Sequence, residues 1–136
     1  MTLPSFAHIL SMSDRFGLFE HADHAQPRPE HGYCTDDVAR LLIMIVRERD
    51  DGQALHELEL TAFKFLTLSQ STTGRTRNRR STDGRWHGGF GVEDCWGRSV
   101  WAFGTSAARA FDPGMRSSAL SYFGHAVNCR SPHRRA

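Results

Sequence analysis

The chain has 136 residues, of which 39% are hydrophobic and 24% charged, with a mean hydropathy of −0.48. These values are typical of a globular domain that buries one core, so the chain is one domain or part of one. The formal charge of +2 is too small to imply a polyanionic partner by itself.

The cysteines and the apolar runs predict where the protein resides. Cys34, Cys95 and Cys129 are an odd number without a CxxC pair, which indicates a reducing compartment. No signal-peptide pattern is present, and no apolar run approaches the ~18 residues of a membrane span. We therefore expect a cytoplasmic protein. The sequence has no GxGxxG, Walker or GxSxG motif, so we expect no nucleotide cofactor.

The first third of the chain predicts a short helix, a loop and a buried helix. Residues 5–14 have helical spacing, with Pro4 suited to a first helical position. Residues 15–33 lose this spacing, and a loop of that length is more often functional than accidental. Thr35 is a good N-cap for a helix that is apolar on nearly every face and ends near Asp51-Gly52.

The remaining chain predicts three more helices. One covers about 53–69 and is amphipathic, with Glu57, Glu59 and Lys64 off its apolar stripe. A loop or short β-hairpin near 73–87 follows. A second buried helix starts at Glu93 and runs to about residue 111. We expect it to bury four apolar side chains, Trp96, Val100, Trp101 and Phe103. The last helix starts at Asp112-Pro113.

This order of helices predicts an all-α fold made of two helical hairpins. The pairs Asp36/Arg40 and Asp94/Arg98 mark equivalent starts of the two buried helices. Repeats of ~40–50 residues made of helix pairs indicate an α-solenoid or an α/α toroid. We therefore predict a partial α/α toroid over residues 1–128, followed by a disordered tail over 129–136.

The carboxylates at these helix starts are the candidates for chemistry. If the buried helices are parallel, they place four of them, Asp36, Asp37, Glu93 and Asp94, at one end of the fold. Glycosidic-bond chemistry needs one protonated carboxyl and one carboxylate. The alternative is that these residues complement helix dipoles and form i,i+4 ion pairs. Tyr33 and Trp86 are candidate sugar-stacking residues, whereas Trp96 and Trp101 have the spacing of core residues.

Two other chemistries have weaker support. The spacing of His21, His24, His31 and Cys34 could ligate zinc, but the match is loose, and we expect no metal site. Five arginines could hold a nucleic-acid backbone: Arg75, Arg77, Arg79, Arg80 and Arg85. No stacking platform interleaves them in the sequence, so we expect a solvated basic hairpin and no nucleic-acid partner.

Two long motifs carry a resemblance over about residues 5–125. The first is FEHA at 19–22 with HGYCTDDVAR at 31–40, and the second is GRTRN at 74–78 with DGRW at 83–86 and EDCWGRSVWAFG at 93–104. They resemble a bacterial family of α/α-toroid proteins found beside, or fused to, glycosyltransferases. The resemblance implies a six-hairpin toroid, related in shape to glycoside hydrolases and sugar epimerases, with a sugar site in its central cavity.

The resemblance also implies a set of site residues. Asp36, Asp37, Glu93 and Asp94 are the catalytic candidates. The matching positions with candidate roles in substrate binding are Glu20, His21, His31, Tyr33, Arg40, Arg77, Asn78 and Arg98, to which Trp86 is added from its place in a loop. The implied partners are an oligosaccharide or sugar nucleotide and a glycosyltransferase.

The chain departs from the family pattern in side chains and in length. Val38 stands where the family usually has asparagine, and Cys95-Trp96 where it has small or polar residues including a histidine. Six hairpins need roughly 250 residues. We therefore expect a truncated reading frame whose exposed repeat edges self-associate. The alternative function is a non-catalytic helical-repeat scaffold for a glycosyltransferase.

Overall fold

The computed structural model describes residues 5–48 and 52–134, and this part of the chain is mainly helical, as predicted. Its helices are α1 (Ala7–Ser11), α2 (Thr35–Glu48), α3 (Gln53–Ser69), α4 (Asp94–Arg109) and α5 (Pro113–Ala126). Its strands are β1 (Ala22–Asp23), β2 (Gln26–Pro27), β3 (Tyr33–Cys34), β4 (Arg79–Arg80) and β5 (Trp86–His87). The predictions for Pro4 and for a helix end at Asp51 lie outside the described residues.

The four long helices form two hairpins whose first helices run in the same direction. Asp36 in the first turn of α2 contacts Arg98 near the start of α4, and Arg47 and Arg109 near their other ends line one groove. α3 and α5 are also parallel to each other. Glu59, in the second turn of α3, is near the N-cap residue Asp112 of α5, and the side-chain amide of Gln70 donates to a carbonyl near the end of α5. The four long helices are therefore arranged as two helical hairpins that pack against each other through α2 and α4.

The core forms around α2, as its composition predicts. Val38, Ala39 and Leu42 are fully buried between α3 and α4. Burial of side chains of this size is worth about 1.5–3 kcal/mol each for Val and Leu, so α2 dominates the apolar stabilisation of the fold. The expected apolar stripe of α3 is confirmed, with Leu58 and Phe65 facing the core.

Two expectations for the helices are wrong in detail. Trp101 is 46% exposed rather than buried, because it lines an open groove along α4. Glu59 is buried, 3.7 Å from His56 Nδ1, although the pattern placed it off the apolar stripe. The N-cap prediction for Asp112 is confirmed, since its Oδ2 accepts a hydrogen bond from the Met115 amide.

The predicted β-hairpin is confirmed, and it belongs to a three-stranded antiparallel sheet. β4 pairs with β5 and also with β3, which leads directly into α2. Gly84 has φ +89° in the hairpin turn, a backbone conformation that favours glycine. The segment predicted as a loop before α2 contains the small hairpin β1–β2 and a 3-10 turn at Pro29–His31. The three-stranded sheet, through β3, holds the residues that precede α2 in place.

The described end of the chain contacts the segments on both sides of the β4–β5 hairpin. Cys129 Sγ lies 3.2 Å from the Thr73 carbonyl oxygen, and Ser131 donates its hydroxyl to the Val92 carbonyl. None of the described helices has the length and apolar content needed to cross a membrane.

Candidate functional site

Asp36 links the starts of the two parallel helices. Its Oδ2 lies 2.9 Å from Arg40 Nη2, and its Oδ1 accepts a hydrogen bond from Arg98 Nε at 3.2 Å. The predicted pair Asp36/Arg40 is thus present. Among the described residues Arg98 contacts Asp36 rather than Asp94, so the second predicted i,i+4 pair is wrong. Both oxygens of Asp36 are engaged by arginine, which fits an orienting role.

Asp37, next to Asp36, is a carboxyl group with a raised pKa. Burial raises its pKa, and the charge of neighbouring Asp36 raises it further, while Arg40 at 3.6 Å lowers it and Glu20 raises it. A carboxyl group with a raised pKa keeps its proton to a higher pH than an ordinary aspartate. This is the property required of a general acid in glycosidic-bond chemistry.

A cleft of about 400 Å³ brings Asp37 together with a second carboxylate. Glu20 and Arg40 line it beside Asp37, and apolar side chains, including Phe19 and Met44, form the rest of its wall. Glu20 forms an ion pair with Arg79 of β4, so the sheet fixes its orientation. The cleft therefore has an apolar wall with few polar groups, the usual composition of a ligand site.

Two histidines lie beside this cleft. The rings of His21 and His31 are in edge contact, with centroids 4.6 Å apart, and His21 Nε2 is 3.8 Å from Glu20 Oε1. Both histidines are exposed. Three of the candidate substrate-binding residues, Glu20, His21 and His31, are therefore close together in the structure.

The structure separates the other catalytic candidates from the cleft. Glu93 and Asp94 are exposed at the start of α4 and do not line it. Glu93 occupies the N-cap position but makes no side-chain capping hydrogen bond. The parallel helices place these two carboxylates at the same end as Asp36, but outside the shared cleft.

Tyr33 is a core residue rather than a stacking platform. It is 1% exposed, its ring packs against Phe19 and Phe65, and its hydroxyl donates to Asp14 at 2.7 Å. Burial and this hydrogen bond raise the pKa of Tyr33. Trp86 is half-buried against Phe65, with ring centroids 5.1 Å apart.

The motif at Arg77-Asn78 holds the start of α2 in place. Asn78 accepts a hydrogen bond from the Thr35 amide at 2.7 Å, and its side-chain oxygen lies 3.2 Å from Cys34 Sγ. Thr35 donates its hydroxyl to the Arg77 carbonyl at 2.8 Å. The Thr35 side chain therefore ties the helix to the strand, which differs from the capping role that the sequence predicted.

The zinc alternative gains no support from the described residues. No three His, Cys, Asp or Glu side chains in residues 5–48 and 52–134 are grouped to hold a metal ion. Burial raises the pKa of Cys95 to about 11, with nearby Cys34 adding to the effect. A thiol this weakly acidic stays protonated at neutral pH and is a poor nucleophile.

Sequence reasoning missed a groove of about 490 Å³ along α4. Trp96, Trp101 and the small residues Gly97 and Gly104 form it, with arginines at its rim. The sequence predicted that both Trp96 and Trp101 would be buried, but spacing alone does not show which side chains another element covers, and the structure buries only Trp96.

A scan against protein-family models found no match for the chain, and no curated protein matches it.

Proposed function

We propose that the chain is a carbohydrate-active protein of the α/α-toroid class that binds an oligosaccharide in the cleft between Glu20 and the start of α2. The observation that carries this proposal is the half-buried Asp37, whose raised pKa and place beside Glu20 and Arg40 fit an acid in a ligand cleft. The two motifs that resemble glycosyltransferase-associated toroid proteins supply the substrate class.

The two carboxyl groups in the cleft, Asp37 and Glu20, have different roles in the proposed reaction. Asp37 is the proton donor to a glycosidic oxygen, because burial favours its neutral form. Glu20 is the second carboxylate, the base or nucleophile of the pair, and its ion pair with Arg79 holds its side chain in position. Asp36, bound by Arg40 and Arg98, orients the start of α2. Glu93 and Asp94 are outside the cleft and have no role in this step.

The toroid itself is part of the proposal. The parallel pairs α2/α4 and α3/α5, and the buried position of α2, are the arrangement expected for inner and outer helices of successive repeats. The sugar would then bind at the ends of the inner helices, where Glu20 and Asp37 lie.

The test combines binding and turnover with an Asp37→Asn variant. The wild-type chain is titrated calorimetrically with neutral oligosaccharides and sugar nucleotides, and release of reducing ends is measured with any oligosaccharide that binds. Asp37→Asn should lower turnover by about 10²–10⁴-fold, because it removes the proton donor. The matched control is Asp23→Asn, an exposed residue in the β1–β2 hairpin. Unchanged turnover in Asp37→Asn would reject the acid role.

The second candidate function is a non-catalytic scaffold for a glycosyltransferase. The specific observation in its favour is the uncovered face of α4, where Trp101 is 46% exposed beside a groove. A thermal-shift screen separates the two functions. No change of Tm with millimolar sugars or sugar nucleotides favours the scaffold, and a saturable rise favours the carbohydrate site.

A further inference from the structure

Arginines and aromatic rings alternate on the hairpin surface, away from the cleft. The Arg77 guanidinium lies between two rings, with its Cζ 4.5 Å from the Trp86 ring centroid and 4.8 Å from that of Phe90. Such distances are those of cation–π contacts. Trp86 is itself anchored on the core through Phe65, so this part of the surface is rigid.

The alternation continues on the other side of Trp86. Arg80 Cζ is 5.6 Å from the Trp86 centroid and 5.9 Å from that of Phe16, and Arg15 Cζ is 4.7 Å from the Phe16 centroid. The resulting set is called the arginine–aromatic surface below. Its members are Arg15, Phe16, Arg77, Arg80, Trp86 and Phe90.

The positive charge of this surface is not neutralised within the described chain. Arg79 and Arg85 pair with Glu20 and Asp83, whereas no described carboxylate lies within ion-pair distance of Arg77 or Arg80. Burial and the nearby charge of Arg80 lower the pKa of Arg77. Two adjacent cations without a carboxylate partner favour an anionic ligand.

The aromatic rings at the two ends remain open to a ligand. Phe16 is 38% exposed and Phe90 is 43% exposed, both high for phenylalanine. Phe90 follows Gly88 and Gly89, and an added Cβ at either glycine would meet nothing within 4 Å. A flexible ligand can therefore approach both rings and the backbone beside Phe90 without displacing protein atoms.

We propose that the arginine–aromatic surface binds single-stranded nucleic acid. Phosphates pair with Arg15, Arg77 and Arg80, and unstacked bases stack on Phe16 and Phe90. Guanidinium planes also stack on bases, which favours a nucleotide chain over an acidic polysaccharide. A duplex fits poorly, because its bases are already stacked on one another. Binding here is independent of the proposed carbohydrate cleft, which shares none of these residues.

The test is fluorescence anisotropy with a labelled oligothymidylate longer than the ~4–16 nucleotides of a typical single-strand site. Three phosphate contacts predict a slope of log K against log salt of about −2, since each contact on a single strand contributes ~0.7. Phe90→Ala should weaken binding about fivefold or more, through loss of base stacking. Arg15→Gln with Arg80→Gln should reduce the slope to about −0.7, because one phosphate contact remains.

Matched controls separate specific binding from charge alone. Lys64→Gln removes one exposed positive charge from α3, and Leu60→Ala removes an exposed apolar side chain from the same helix. Both should bind like the wild type. Circular dichroism melting verifies that each variant is folded, and Phe16→Ala provides a second stacking variant. No binding at low salt, equal affinity for a duplex of the same length, or unchanged affinity in both phenylalanine variants would overturn the proposal.

Discussion

Arg98 of α4 donates a hydrogen bond from Nε to Asp36 Oδ1 of α2 over 3.2 Å. The arginine of the second sequence motif therefore binds the aspartate of the first. Asp36 lies in the first turn of α2 and also contacts Arg40 of the same helix, so one carboxylate binds an arginine from each of the two parallel helices. This contact is a direct physical connection between the two helical hairpins.

Removing Arg98 should therefore destabilise the contact between the helices. We expect Arg98→Ala to lower the free energy of unfolding by about 1 kcal/mol, limited by solvent screening because the Arg98 side chain is 37% exposed. Urea unfolding of Arg98→Ala, Asp36→Asn and the double variant measures their coupling, expected at about 0.5–1 kcal/mol. Arg109→Ala on the same helix is the control. If the loss of unfolding free energy in the double variant equals the sum of the losses in the two single variants, a direct interaction between Arg98 and Asp36 is contradicted.

Gly74 should tolerate no side chain. Its φ is +84°, and a Cβ would lie 2.1 Å from the carbonyl oxygen of His125 in α5. We expect Gly74→Ala to cost about 3 kcal/mol or more, from backbone strain and from this clash. Gly88→Ala is the matched control, because φ there is +78° but the space is open, so only about 1–2 kcal/mol of strain remains. Urea unfolding measures both variants. An equal loss of unfolding free energy in Gly74→Ala and Gly88→Ala would contradict this prediction, because it would show that the backbone near Gly74 shifts to accept the added Cβ.

Glu59 should make stability depend on pH. Burial raises its pKa, so between the unfolded and folded pKa values the native state binds more protons than the unfolded state. The free energy of unfolding therefore falls as the pH rises from the unfolded-state pKa to the folded-state pKa of Glu59. Above the folded-state pKa, the native protein carries the full energetic cost of an ionised, buried carboxylate. Glu59→Gln removes that cost, so the variant should gain stability relative to wild type as pH rises from about 4 to neutrality.

The measurement for Glu59 is urea unfolding at a series of pH values. Glu57→Gln, an exposed neighbour, is the control and should show a difference from wild type that stays nearly constant with pH. A pH-independent difference for Glu59→Gln would mean that the carboxyl group has an ordinary pKa. His56 is 3.7 Å from Glu59 and can offset the cost only while it is protonated.

Self-association should depend on the uncovered face of α4. Trp101 is 46% exposed on this face, and a carboxylate placed there would oppose burial against a second chain. We expect the wild type to form dimers or larger species at micromolar concentration, and Trp101→Glu to shift it towards monomer. Sedimentation velocity measures this shift. Leu60→Glu, on the exposed face of α3, should leave association unchanged, and a monomeric wild type would contradict the prediction.

Much of the helical framework follows from local sequence patterns. The apolar run after Asp37 predicts a buried helix, and Asp112-Pro113 predicts a helix start that the structure confirms. The hairpin turn at Asp83-Gly84 was predictable for the same reason. Capping, helical periodicity and turn chemistry are interactions among residues close in sequence, so the sequence contains the information needed to recognise them.

The candidate site was only partly predictable. The motifs identified Asp36, Asp37 and Arg40 as neighbours, because one helical turn separates them. Only the tertiary structure placed Glu20 in the same cleft and Glu93 outside it. In the structure Tyr33 is buried and Trp101 is exposed. Arg98 forms a hydrogen bond with Asp36 instead of Asp94.

The arginine–aromatic surface illustrates the same limit. The sequence shows a run of arginines without interleaved aromatic residues, whereas the folded chain inserts Arg80 between Phe16 and Trp86. The sequence by itself determined the positions of the long helices and the hairpin, since local backbone energetics decide them. Only the tertiary structure decided which side chains meet, because such contacts depend on which faces of distant segments pack together and which remain open to solvent.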